Sequence, residues 1–84
     1  MLKIRRIGEL EMNKVNPLLN QRFGLVNQIE SGSCEEHEEG KKIYHISLVD
    51  KNPYKSEALL RKIGRVVKNV LKAEEVYFMG HNIT

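Results

Sequence analysis

Four cations repeat at helical spacing in the last third of the chain, and the chemistry they offer is the binding of anions. Arg61, Arg65, Lys68 and Lys72 stand at i, i+4, i+7 and i+11, so a helix places them in one narrow row, here called the cationic column. No acidic residue interrupts the sequence from 58 to 73. Lys and Arg supply the sequence-independent part of nucleic-acid affinity. The spacing therefore predicts a site for nucleic acid or another acidic partner.

The cationic column also has a purely structural interpretation, because a helix that packs one face on a sheet must expose the other to water. Aromatic residues of the RNA-recognition motif would favour the nucleic-acid interpretation. The stretch that would have to carry that pattern, residues 42–46, has only Lys42 and Tyr44 in place, with Ile43 where the motif needs glycine. The motif is absent, and Tyr44 is predicted to pack within the protein.

An acidic run, residues 35–39, follows the single cysteine, Cys34. Carboxylates, a thiolate and an imidazole are metal ligands, but the only close pair at zinc spacing is Cys34 and His37, with His81 remote in sequence. We therefore predict no metal site and interpret the run as the solvated tip of a hairpin. Its negative charge also offers a contact to the cationic column of a second copy.

Catalytic residues are not indicated by any spacing in the chain. The three histidines are scattered, and glutamates beside Cys34 disfavour its thiolate form. We predict no catalytic residue and no cofactor, and binding is favoured over enzymatic activity.

Length and composition indicate one small domain spanning residues 1–84, and we expect a cytoplasmic location. The 84 residues carry a net charge of +3 that is unevenly spread: +3 over residues 1–22, −4 over 23–50 and +4 over 51–84. One cysteine cannot form an internal disulfide, and no apolar stretch suggests a leader or a membrane span. No membrane partner is expected.

Hydrophobic periodicity and turn residues divide the chain into alternating elements. In residues 43–49, Tyr44, Ile46 and Leu48 share one face, which is typical of a half-buried strand. Pro17 and Pro53, each preceded by asparagine, are typical of helix starts. The predicted elements are strands at 2–8, 25–30, 43–49 and 76–79, a short helix at 17–23, a polar loop at 31–40 and a long helix from 52 to 72.

This order predicts an α+β fold of the ferredoxin-like βαββαβ type. It would have a four-stranded antiparallel sheet in spatial order 4-1-3-2, with one long and one short helix on one face. The undersized first helix leaves an alternative: a three-stranded meander followed by a helix and a final strand.

Two functions follow from these features. The first is low-specificity nucleic-acid binding through Arg61, Arg65, Lys68 and Lys72. The second is a homo-oligomeric or protein-docking domain that uses the exposed face of the sheet, since a sheet covered on one side leaves its other face to water or a partner.

Overall fold

The computed structural model describes the backbone of residues 2–83 and the side chains of residues 2–81. Short 3₁₀ turns lie at Leu25–Asn27 and Glu38–Gly40. The regular elements are β1 (Lys3–Arg6), α1 (Glu9–Phe23), β2 (Ile29–Glu36), β3 (Lys42–Leu48), β4 (Tyr54–Lys55), α2 (Glu57–Leu71), β5 (Glu75–Phe78) and β6 (Asn82–Ile83).

The main sheet has four strands in the order β1-β2-β3-β5, and β4 pairs with β6 separately. The first three strands are antiparallel neighbours, whereas β3 and β5 are parallel. The α+β prediction is confirmed, but the purely antiparallel sheet is wrong and the ferredoxin-like order is not confirmed. Sequence-adjacent strands lie side by side, as in the alternative prediction, although α1 separates β1 from β2. The parallel pair arises because α2 carries the chain back to the end of the sheet where β3 begins.

One face of the sheet packs against both helices to form the core. Tyr44, Ile46 and Leu48 are completely buried on β3, which confirms the predicted alternation. Val15 and Leu19 from α1 and Ile63 and Val67 from α2 are also fully buried in this cluster. The side chains on the other face of the sheet, here called the uncovered face, are half-buried or exposed in all four strands.

Helix α1 is a full 15 residues long, so the predicted short helix at 17–23 begins eight residues too late. The side chain of Glu11 accepts a hydrogen bond from the Gly8 amide at 2.9 Å, which satisfies a free donor where the helix begins. Pro17 lies inside the helix. Asn16 is not an N-cap: its amide bonds both backbone groups of Ile29, at 2.8 and 3.1 Å, and ties α1 to β2.

Strand β2 occupies much of the segment predicted as a polar loop at 31–40. The strand continues to Glu36 because it lies between β1 and β3 and is hydrogen-bonded on both sides. Gly32 is required for this close pairing, since a Cβ atom there would lie 2.6 Å from the carbonyl oxygen of His45. Cys34, two residues on, is fully buried on the same face.

Helix α2 begins at Glu57, not at the Asn52-Pro53 pair. Ser56 is the N-cap, and its hydroxyl accepts from the Leu59 amide at 3.3 Å. Asn52 instead accepts a hydrogen bond from the Tyr54 amide at 3.1 Å and leads into β4. There the buried Lys55 pairs with Asp50, and its ammonium lies 3.3 Å from Oδ1 of Asn27.

We expect Gly32→Ala to destabilise the protein by about 1–3 kcal/mol, because the new methyl group meets backbone of β3 that cannot withdraw without breaking the strand pairing. Urea denaturation of both proteins measures the change. Ser31→Ala, at an exposed neighbouring position, should change stability by less than about 0.5 kcal/mol. Equal stabilities of Gly32→Ala and Ser31→Ala would contradict this account of β2.

Candidate functional site

The four residues of the cationic column are all exposed: Arg61, Arg65 and Lys68 lie on α2 opposite the stripe that enters the core, and Lys72 directly follows the helix. The inner stripe consists of Leu60, Ile63, Val66, Val67 and Leu71. Arg61 forms an ion pair with Glu57 one turn earlier. Within the described side chains, neither Arg65 nor Lys68 has a carboxylate at ion-pair distance. Two strong cations are therefore available to a partner on this side of the helix.

A groove of about 680 Å³ runs between α2 and β5, here called the α2–β5 groove. Arg61, Arg65 and Lys68 line it, so the structure brings three members of the cationic column to one wall. Lys72 is not among its lining residues. It follows α2 as the C-cap in the left-handed conformation (φ 53°).

The floor of the α2–β5 groove is apolar. Leu60 contributes from α2, and Val76 and Phe78 contribute from the core side of β5. Gly64 keeps the floor open, because a Cβ atom at this position would already lie 3.3 Å from Cε2 of Phe78. A larger side chain at this turn of α2 would occupy the space between helix and strand. The groove thus combines an apolar floor with a cationic wall.

Strand β5 contributes an open sheet edge to the same groove. It is the last strand in the sheet order, with β3 as its one neighbour among the described strands. The Glu74 amide donates to the Lys42 carbonyl at 2.8 Å, toward β3. The Met79 amide, just after β5, likewise donates to the Ile46 carbonyl at 2.8 Å. Because backbone groups alternate along a strand, the Tyr77 amide also points toward β3, and those of Val76 and Phe78 point to the open edge. The side chains of Glu75 and Tyr77 lie on the uncovered face, where the Tyr77 hydroxyl donates to Glu75 at 2.8 Å.

A second, smaller groove of about 360 Å³ lies between α1 and α2 and holds two cations that the sequence analysis missed. Arg22 of α1 and Lys62 of α2 line it together with Arg65, over a floor that includes Phe23 and Val70. No carboxylate is among the described residues that line it. Helical spacing places Lys62 off the cationic column, so only the packing of α1 against α2 brings these three charges together.

The acidic run does not form a hairpin tip alone, since Glu35 lies within β2 on the uncovered face. Its carboxylate contacts His45 on β3, and Nε2 of His37 lies 3.4 Å from its other oxygen. Hydrogen bonding to His45 lowers the pKa of Glu35. The ring of His45 stacks on Tyr77 with centroids 5.4 Å apart. Among the described residues, no group of three His, Cys, Asp or Glu side chains is arranged to hold a metal ion.

A polar cluster around the half-buried Glu11 lies on the opposite, core side of the sheet. The Glu11 carboxylate accepts from Arg5 at 2.6 and 3.1 Å and from the fully buried Tyr44 hydroxyl. Burial alone would raise the pKa of Glu11, but the hydrogen bonds from Arg5, Tyr44 and the Gly8 amide outweigh it and lower that pKa to about 2. Burial raises the pKa values of Tyr44 and of the adjacent Cys34 thiol.

This cluster connects secondary-structure elements and offers no reactive group to solvent. Tyr44 and Cys34 are both completely buried, and the raised pKa of Cys34 leaves its thiol protonated and weakly nucleophilic. The prediction that Tyr44 packs within the protein is confirmed.

Comparison with known proteins does not assign this chain to a family: no protein-family model, curated protein or solved structure matches it. Neither of the helices formed by the described residues has the length and apolar character needed to cross a bilayer.

The Glu11 carboxylate should make the free energy of unfolding depend on pH in the acid range. Its pKa in the folded protein is about 2, against an ordinary value of 4.5, so the carboxylate stabilises the fold fully above pH 4.5 and loses this effect as the pH falls toward 2. We expect Glu11→Gln to cost about 1–3 kcal/mol at neutral pH and to flatten this acid dependence. Urea denaturation between pH 7 and pH 2 measures both effects.

Glu9→Gln is the matched control, because Glu9 is exposed in the same helical turn. It should behave like the unaltered protein across the whole range. Parallel acid profiles for the unaltered protein and Glu11→Gln would show that the Glu11 carboxylate is not the group responsible.

Proposed function

We propose that this protein is a small cytoplasmic binding module whose α2–β5 groove takes an extended segment of another polypeptide as an added strand. The observation that supports this is the open edge of β5 beside an apolar floor and a cationic wall. Addition of a strand to a sheet edge gains affinity from main-chain hydrogen bonds and specificity from pockets for alternate side chains. The α2–β5 groove offers both kinds of contact.

The charges of the α2–β5 groove favour a peptide over a continuous polyanion. Glu57 already pairs with Arg61, and Glu74 and Glu75 also line the groove. A phosphate backbone would meet these carboxylates as well as the cations, and like charges at an interface cost affinity. A peptide, unlike a phosphate backbone, carries a charge only at the positions where its sequence has a charged residue.

Selection from a phage-displayed library of random octapeptides tests the proposal directly. Enriched peptides should bind the unaltered protein and lose about tenfold or more in affinity on Val76→Pro. Proline removes the outward amide at position 76 while leaving the pairing toward β3 in place. Val76→Thr is the matched control, because it keeps the amide and the branched shape of the side chain. Isothermal titration calorimetry measures the affinities, and circular dichroism checks that both variants fold.

Two results would contradict strand addition. One is a library that yields no specific peptide. The other is an equal loss of affinity in Val76→Pro and Val76→Thr, which would assign the effect to the side chain and not to the strand edge.

Nucleic-acid binding is the second candidate, and the groove between α1 and α2 favours it. Arg22, Lys62 and Arg65 lie there without a lining carboxylate, next to the exposed cationic column. A nucleic-acid strand lying across the helices would be neutralised by these charges and by the column residues Arg61, Lys68 and Lys72. Such binding would be of low sequence specificity, since no base-reading pattern was found.

Fluorescence anisotropy of labelled single-stranded and duplex DNA and RNA tests the second candidate. With three or four phosphate contacts, log K should fall with log salt at a slope of roughly −2 to −4. The double variant Arg22→Glu/Lys62→Glu should abolish binding, whereas Lys14→Glu, an exposed cation of α1 outside both grooves, should retain most of it. Affinity that is flat with salt would reject this function.

Self-association through the uncovered sheet face stays a prediction. Ile4 and Tyr77 are the large apolar side chains exposed there, at 68% and 49% of their surface, beside the carboxylates of Glu35 and Glu75. The solution mass of the samples used for the titrations decides between a monomer and a homo-oligomer.

A further inference from the structure

We infer that the partner segment of the α2–β5 groove carries carboxylates at alternate positions, an acid-x-acid pattern. This inference rests on the proposed strand addition and adds the chemistry of the partner. It comes from the spacing of cations on one wall of the groove and from the position of a carboxylate on the other face of the sheet.

The spacing along α2 matches the repeat of an extended chain. Arg61 and Arg65 are four residues apart, a rise of about 6 Å in a helix, and Lys68 follows about 4.5 Å further on. Alternate residues of a strand lie about 6.6–6.8 Å apart on one face. Two carboxylates at positions i and i+2 can therefore reach this row of cations from one side of an added strand.

The intervening position faces a different environment. Side chains of an added strand alternate between the α2 side and the uncovered face of the sheet. On that face Glu75 is exposed and accepts the hydrogen bond of Tyr77, so a carboxylate there would meet a like charge. On the α2 side the carboxylates belong to Glu57, paired with Arg61 in the first turn, and to Glu74, just before β5 begins. Two adjacent acids would place one on the unfavourable side.

The same charges argue against a second copy as the occupant. Two β5 edges paired about a twofold axis would bring the two α2 helices side by side. The cationic walls containing Arg65 and Lys68 would then face each other, and the β5 side chains on this side of the sheet, Val76 and Phe78, carry no charge to offset them. An acidic segment of another polypeptide replaces this repulsion with attraction.

Two synthetic heptapeptides of identical composition test the spacing: Thr-Val-Glu-Thr-Glu-Val-Thr and Thr-Val-Thr-Glu-Glu-Val-Thr. We expect the alternating peptide to bind about 3- to 10-fold more tightly, because it avoids one like-charge contact and gains one exposed ion pair. Arg65→Glu/Lys68→Glu should remove this preference and should favour the peptide in which lysines replace both glutamates. Lys14→Glu/Lys51→Glu makes the same change in net charge outside the groove and should keep the preference.

The outcomes separate this inference from the proposed function. Equal affinities of the two peptides, or binding only by library peptides that lack acids, would overturn the acid-x-acid pattern while strand addition stands. If the alternating peptide still binds as tightly to Arg65→Glu/Lys68→Glu, the inference is also overturned, because the cationic wall would then not recognise the acidic residues. Failure of these peptides and of the whole library together would reject strand addition itself.

Discussion

The Glu11 carboxylate is the interaction on which the relative positions of helices and sheet depend. It joins β1 through Arg5, the start of α1 through the Gly8 amide and β3 through Tyr44. A carboxylate partly withdrawn from water is stabilised by matching donors, and its removal leaves the buried Tyr44 hydroxyl without this acceptor. These donors come from three elements, so the cluster is satisfied only when β1, α1 and β3 are in their native arrangement. It thereby selects one arrangement of α1 on the sheet, against which α2 then packs.

The α2–β5 groove is a consequence of that arrangement. The crossover through α2 returns the chain to make β5 parallel to β3 and leaves β5 at the edge of the sheet. The inner stripe of α2 is used by the core, so its charged face ends at the rim beside this edge. Gly64 then lets the Phe78 ring approach the helix without filling the space above it. Core packing, the strand order and the lack of a side chain at Gly64 together leave the unpaired edge of β5 beside a groove.

Residue patterns predicted the features that depend on neighbouring residues, and they failed for the features that depend on contacts between residues far apart in the sequence. The alternation of Tyr44, Ile46 and Leu48 and the apolar stripe of α2 were readable because burial repeats with the period of each element. Asn16 before Pro17 imitates a helix start, but its side chain is used 13 residues away by Ile29. Residues 31–36 are polar and glycine-containing, yet they form a strand because neighbours on both sides pair with them. Three members of the candidate site were identified from spacing alone, whereas Arg22 and Lys62 required the packing of α1 on α2.

The apolar floor and the cationic wall of the α2–β5 groove can contribute unequal free energies to the binding of a partner. Exposed ion pairs contribute about 0.2–1 kcal/mol each and weaken with salt. Each ~100 Å² of apolar surface removed from water contributes about 2.5 kcal/mol. The floor of Leu60, Val76 and Phe78 offers such surface, and edge amides add main-chain hydrogen bonds. In the proposed strand addition, affinity would therefore come mainly from the floor and the strand edge, while the cations would determine which register and which sequence are accepted. Such a groove would select by charge position more than by total charge, and this would distinguish a peptide-binding groove from a polyanion-binding surface.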